Sequence, residues 1–372
     1  MQDVLNSLNQ IESATYYATK ESWAPGDTVP LFTFLSYYKE YCNPHDSTIG
    51  SSFVELLPED TTQMTFCYDG YMRASVYEEE KNIVIDSFKV RPLPFRPLTP
   101  PFFNYAKNIM KYALETNDSI ATEFEDFGDS EFFRLTILED SQVEFFGKAF
   151  YIENSPYNLG ETTSKYELWI NKSDNLPYRI RREMSHDISV ITCWDVELNK
   201  IKLDDFKTSD YFNPEYSIRA YGQAYKRPFE NALLGKPAPD WILNDDKDNP
   251  IALKDLKSKV LMIQFTSVTC GPCRASIQFL KQLASEYNQN DFDFVSIESW
   301  TRNSNVLELY KSRNNFTYRF LMSTPDVTRS YQIQSVPVFY ILDENRVIRN
   351  VIRGYASGST DNEIKDAINE LI

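Results

Sequence analysis

The sequence predicts two domains. The first is an α+β domain built on a large, strongly bent antiparallel sheet with two covering helices. The second is an α/β domain with a central sheet. Three observations carry this reading. The chain has 372 residues, beyond the roughly 100–200 of one domain. Charge is unevenly shared: residues 1–232 hold 22 Lys/Arg against 37 Asp/Glu, while residues from Leu233 onward hold 16 against 17. Strand follows strand in the first part, and strand alternates with helix in the second.

The elements follow in order. Val4, Leu5, Leu8 and Ile11 recur at helical spacing, which predicts a short amphipathic helix over residues 3–14. Leu31–Tyr41 is a strand rich in Phe, Tyr and Leu. Met64–Tyr68 and Met72–Tyr77 flank Asp69-Gly70-Tyr71, a hairpin signal. Asn82–Val90 alternates as another strand. Five prolines in Pro92–Pro101 forbid a central strand or helix there, because proline lacks the donor and fixes φ. Phe102–Glu115 is a helix. Strand patterns return at Phe132–Leu138, Val143–Ile152, Tyr166–Asn171, Pro177–Glu183 and Ile188–Leu198, with a turn at Asn171–Asn175.

Periodicity fades between Asn213 and Pro239, where Pro and Gly accumulate. The expected boundaries are a first domain over 1–215, a linker over 216–234 and a second domain over 235–372. In the second domain Val260–Phe265 is a continuous apolar run, hence a buried strand. Cys273–Tyr287 is a helix, Phe292–Ile297 a strand, Asn305–Arg313 a helix, Tyr318–Met322 a strand and Asp326–Tyr331 a short helix. Val338–Leu342 and Val347–Ile352 form a hairpin, and Thr360–Ile372 is a terminal helix.

Composition narrows the function. A net charge of −16 argues against a nucleic-acid surface. No run of 18 apolar residues offers a membrane-spanning helix. Two histidines, His45 and His186, exclude a multi-histidine metal site. Five cysteines do not fit a fully paired disulfide framework. Of these, Cys42, Cys67 and Cys193 are expected to be buried and inert, a Cys42–Cys67 bridge being conceivable if their strands pair. His186 is expected on a turn or rim.

One motif carries chemistry: Cys270-Gly271-Pro272-Cys273 follows the buried strand and opens the helix. Free backbone N–H groups and the dipole at a helix start favour a thiolate at Cys270. Two intervening residues let the second sulfur reach the first, and Pro272 fits the first turn. The expected reaction is attack by Cys270 on a disulfide and resolution by Cys273. A zinc half-site lacks further ligands, a c-type haem site lacks the following His, and a peroxidase site lacks a proline at the usual upstream spacing; a structural disulfide without turnover is the plain alternative. No cofactor and no metal are called for.

From about Leu233 to Ile372 the sequence resembles the thioredoxin superfamily, and within it the extracytoplasmic TlpA- and ResA-like thiol–disulfide oxidoreductases. The residues that carry this are Gly235-Lys236-Pro237-Ala238-Pro239-Asp240, Val260–Phe265, the Cys270–Cys273 motif, Gln334-Ser335-Val336-Pro337-Val338-Phe339 and Ile341-Leu342-Asp343-Glu344-Asn345. The βα segment between Ile297 and Tyr331 resembles the family's insertion. The resemblance implies a thioredoxin fold, a cis Pro337 facing the cysteines, and Val336 offering its backbone to a substrate segment. An ordinary trans loop proline is the alternative. Gln264 stands where thioredoxins have a buried acid. Thr269 stands where a tryptophan is usual, and Ser276 and Gln278 replace a frequent Glu-x-Pro. Glu298 and Trp300 are expected as strand-end residues near the site's edge. Protein thiols and disulfides are the implied partners, with a membrane or periplasmic redox protein. The implied location is periplasmic or cell-envelope, in a mature form with its signal removed and a lipid anchor compatible with it.

In the first domain, Glu167-Leu168-Trp169-Ile170-Asn171 with Asn175-Leu176-Pro177-Tyr178-Arg179-Ile180 resembles a hairpin of the LolA/LolB-like lipoprotein-carrier superfamily. That resemblance implies a half-barrel whose concave face holds an apolar ligand such as an acyl chain. Two alternatives stand beside it: aromatics that simply fill the space between sheet and helices, and an acidic surface that selects basic protein clients.

Overall fold

The computed structural model describes residues 1–23, 30, 32–89, 98–152, 164–184, 187–223, 232–268, 270–302 and 304–372. These divide into two compact units, one through residue 223 and one from residue 232.

In the first unit, helix α1 (Gln2–Asn9) precedes β1 (Ser13–Trp23), β2 (Phe32–Cys42), β3 (Ser51–Leu56), β4 (Met64–Tyr68), β5 (Arg73–Tyr77) and β6 (Asn82–Asp86). Helix α2 (Phe102–Glu115) leads to β7 (Ile120–Asp126), β8 (Ser130–Ile137), the hairpin β9 (Gln142–Phe145) and β10 (Ala149–Ile152), then β11 (Ser164–Asn171), β12 (Leu176–Met184), β13 (Ile188–Leu198) and β14 (Ser217–Ala220). Twelve strands form one sheet in the order β14-β6-β5-β4-β3-β2-β1-β13-β12-β11-β8-β7. Each neighbour pair is antiparallel except β14 with β6. Two meanders are thus joined where β13 returns to pair with β1.

Several boundaries differ from expectation, each for a local reason. Helix α1 ends at Asn9, because Ser13–Trp23 is a strand whose Ala14, Tyr16 and Ala18 point into the core. The run 143–152 is a hairpin rather than one strand. Gly147 turns it at φ 77°, and a Cβ there would lie 2.4 Å from Thr48 O. Ser217–Ala220, expected within the linker, extends the first sheet beside β6. Most of the proline-rich stretch, residues 90–97, lies outside the described residues, as does His186.

Both helices pack on one face, over Tyr16, Tyr38, Phe53, Tyr166 and Ile180. The other face buries Val54, Cys67, Ala74 and Ile83 beneath Phe206, Tyr211 and Phe212. The N-terminus of α2 has no cap from its own sequence, since Pro101 precedes it. Glu40 of β2 supplies one. Its carboxylate accepts Asn104 N–H at 2.7 Å, Phe103 N–H at 3.2 Å and Tyr16 Oη–H at 2.9 Å. This joins the sheet to the positive end of the helix.

In the second unit the strands are β15 (Ile242–Asp245), β16 (Pro250–Ala252), β17 (Val260–Thr266), β18 (Phe292–Glu298), β19 (Arg319–Met322), β20 (Val338–Leu342) and β21 (Ile348–Arg353). The helices are α3 (Gly271–Ala275), α4 (Ile277–Glu286), α5 (Ser304–Asn314), α6 (Pro325–Ser330) and α7 (Ser359–Asn369). The sheet order is β16-β15-β19-β18-β17-β20-β21, with β17, β18 and β19 parallel. Alternate residues of β17 feed two cores. Leu261, Ile263 and Phe265 meet Tyr331 and Tyr340, while Val260 and Met262 meet Phe279 and Leu283 of α4 and Ile364 and Ile368 of α7.

Glu40 makes stability depend on pH. Burial raises its pKa from the ordinary 4.5 to about 7 against the pull of its three donors and of Lys107. The folded state therefore holds a proton that the unfolded chain has released. The contribution is complete below about pH 4.5 and is lost as pH rises through about 7. Denaturant unfolding of Glu40→Gln against wild type is expected to show the variant gaining relative stability over that window. The gain is on the order of 3 kcal/mol.

Candidate active site

The site begins where β17 ends. Beyond Thr266 the chain turns through Ser267 and Val268 to Cys270, which caps α3. Thr269 lies outside the described residues. Cys270 Sγ accepts the N–H of Cys273 at 3.1 Å, and Cys270 O accepts that of Arg274 at 3.0 Å. The sulfur is thus held at the positive end of the helix start, where a thiolate is favoured. Pro272 sits in the first turn, where its missing N–H leaves no bond unmade.

Cys270 and Cys273 form a disulfide with Cα atoms 5.2 Å apart. Exposure is asymmetric. Cys270 is half-buried, Gly271 and Pro272 are exposed, and Cys273 is 2% exposed. Attack from outside therefore reaches Cys270 first. The Val336–Pro337 peptide is cis, and Val336 O lies 3.5 Å from Cys270 Sγ. That loop is tied to the sheet through Gly354 N–H to Pro337 O at 2.8 Å.

Gln264 is buried in β17, and its amide does not bond to either cysteine side chain directly. Its Nε2 donates to Ser276 Oγ at 3.1 Å, and its Oε1 accepts from Ser296 Oγ. Ser276 Oγ donates in turn to Cys273 O at 2.7 Å. A buried polar relay thus runs from β18 through β17 to the backbone of the second cysteine. It also explains why the helix expected over 273–287 divides. Ser276 bonds back to the carbonyl three residues earlier and separates α3 from α4. The sequence marks Ser276 only as a departure from the family's pattern and does not mark Ser296, and it shows neither one's part in the relay. A polar residue facing inward on an otherwise apolar strand is the signal that finds Ser296.

The remaining candidates are not drawn to this site. Cys42 pairs with Ser51 and Cys67 with Val54, so β3 lies between the two cysteines and no bridge joins them. Cys67 and Cys193 are buried, but Cys42 is exposed, contrary to expectation, because it ends β2 at a turn. Burial pushes the Cys67 thiol up to about 12, and raises that of Cys193 as well. His45 is exposed in the β2–β3 turn. Among the described residues no three His, Cys, Asp or Glu side chains cluster as metal ligands.

Residues 233–368 match the Redoxin family. The thioredoxin-like protein YneN of Bacillus subtilis (strain 168) is 25% identical over 130 residues, covering 35% of this chain and 76% of that protein. The thiol-disulfide oxidoreductase ResA of Geobacillus kaustophilus (strain HTA426) is 23% identical over 122 residues, covering 32% and 70%. A thiol:disulfide interchange protein of the thioredoxin family from Chlorobium tepidum TLS aligns at a TM-score of 0.33 and 22% identity, over 40% of this chain and 99% of that one. The C-terminal region of the chain thus carries the Redoxin match and is similar to a thioredoxin-like protein and a thiol-disulfide oxidoreductase.

A thiol titration checks the cysteine assignment. The oxidised native protein is expected to show one fast-reacting thiol, Cys42. Denaturant is expected to expose three thiols, and reduction five. Rapid reaction of Cys67 or Cys193 in the native state contradicts it.

Proposed function

We propose that this chain is an extracytoplasmic thiol–disulfide oxidoreductase that exchanges disulfides with exported proteins, with Cys270 as nucleophile and Cys273 as resolving thiol. The observation that carries this reading is the asymmetry of the pair. One sulfur caps a helix start within reach of solvent and the other is buried behind it. Kinship to proteins named as thiol-disulfide oxidoreductases supports it.

In the reducing direction, the Cys270 thiolate attacks a substrate disulfide. A mixed disulfide forms and one substrate thiolate leaves. Cys273, as thiolate, then attacks Cys270 Sγ, restores the Cys270–Cys273 bond and releases the second substrate thiolate, now reduced by two electrons in all. The oxidising direction is the same path reversed. A membrane or periplasmic dithiol–disulfide partner returns the pair to its starting state. Val336 O beside Cys270 offers a backbone acceptor to an extended substrate segment. Gly271 and Pro272 form the exposed rim, and the Gln264 relay fixes the backbone at Cys273.

The resemblance to the TlpA- and ResA-like family supports the envelope location. No helix among the described residues is long and apolar enough to cross a membrane. For the first domain, the large buried aromatics between helices and sheet support packing as their role: Tyr16 stacks on Tyr38 at 5.2 Å and meets Phe103 edge-on at 5.4 Å.

A disulfide-bonded model peptide tests the exchange. Wild type is expected to turn it over under a reductant. Cys273→Ser is expected to stall with half of the peptide bonded to Cys270, read as a mass increment. Cys270→Ser is expected to fall to the uncatalysed background. An adduct absent from Cys273→Ser, or equal in both variants, contradicts the assignment.

A further inference from the structure

Glu298 ends β18 as a fully buried carboxylate at the rim of the site. Its partners come from two separate segments. Oε2 accepts Val268 N–H at 2.7 Å, in the loop that presents Cys270. Oε1 accepts Trp300 N–H at 2.9 Å and Thr301 N–H at 3.0 Å, in the turn that leaves β18. The next residue repeats the connection through the backbone, as Ser299 N–H donates to Thr266 O at 2.9 Å. Burial raises the pKa of Glu298 above its ordinary value, while the three N–H donors, and after them Arg302, whose guanidinium donates to Ser299 O and Thr301 O, pull it back toward the ionised form.

Three backbone donors converging on one buried side chain call for an acceptor on both of its oxygens. A Gln of the same shape meets this on one oxygen only. Its amide nitrogen would face another N–H, either at Val268 or at the Trp300–Thr301 pair.

We infer that Glu298 is a positioning residue for disulfide exchange: it clasps the loop before Cys270 to the end of β18 and so holds the Cys270 sulfur in register with Cys273. This rests on the exchange reading above. In the oxidised state the disulfide itself fixes the two sulfurs. In the dithiol state that covalent tie is gone, and the position of Cys270 depends on non-covalent contacts, the clasp among them. Loosening the loop lowers the effective concentration of one thiol at the other. The disulfide then closes less favourably.

The test is the redox midpoint of the Cys270–Cys273 pair in glutathione buffers, for the full chain and for Glu298→Gln. The variant is expected to close its disulfide with an equilibrium constant lowered roughly tenfold, a midpoint about 30 mV less negative. Ser299→Ala, which removes a neighbouring buried hydroxyl with no hydrogen-bond partner among the described residues, is expected to leave the midpoint unchanged. If Glu298→Gln does not fold, Glu298→Asp, which keeps the charge with a shorter reach, is measured instead and the same direction is expected. A wild-type midpoint in whichever variant folds, even with a lowered melting temperature, overturns the assignment of Glu298 alone. An equal shift in Ser299→Ala overturns it too. Absence of any transition in wild type overturns the exchange reading, and this inference with it.

Discussion

Strand β17 is the fixed point of the second domain. All seven of its residues are buried, and it is bonded along both edges, to β18 and to β20. A strand so enclosed cannot shift register by one residue without exchanging the side chains of its two cores and pulling Gln264 out of its relay. Its C-terminal end therefore fixes where Cys270 begins α3. The register carries the other parts to the same edge. Thr266 pairs with Glu298 at the end of β18, and Phe265 pairs with Val338, directly after the Val336–Pro337 loop. Because β20 is antiparallel to β17, its beginning meets the end of β17. Three chain segments distant in sequence thus converge on one sulfur.

Features fixed by local contacts are legible in the sequence, and those fixed by distant ones are not. Continuous apolar runs and turn residues are local signals, so β17, α2, β13 and the β20–β21 hairpin were legible almost to their ends. The cysteine motif was legible because its chemistry lies within four residues. The relay Ser296–Gln264–Ser276 was not, since it joins residues from separate elements through side-chain bonds that no spacing encodes. Strand β7 escaped because most of its residues are exposed and show no apolar alternation. Strand β14 escaped because its parallel pairing with β6 spans more than a hundred residues of chain. Cys42 read as buried from its aromatic neighbours, yet it ends a strand at an exposed turn.

The first domain follows a different logic. Its sheet is a long antiparallel assembly of hairpins, closed in the middle by β1 and β13. Alternate residues serve two unlike cores, an aromatic one under the helices and a smaller one under residues 206–212. Glu40 links sheet and helix at a cost in desolvation, which its three donors offset in part. Glu298 solves a related problem in the second domain. In both places a buried carboxylate gathers backbone N–H groups onto its two oxygens.

The central claim is that Cys270 and Cys273 form a working couple and not a permanent brace. Equilibration of the full chain across graded dithiothreitol ratios, with alkylation and mass mapping at each point, tests it directly. The account predicts that two cysteines, Cys270 and Cys273, change state together in one reversible two-electron step, while Cys42, Cys67 and Cys193 remain thiols throughout. A pair that stays closed across the whole range, or a transition that involves any of the other three, contradicts it.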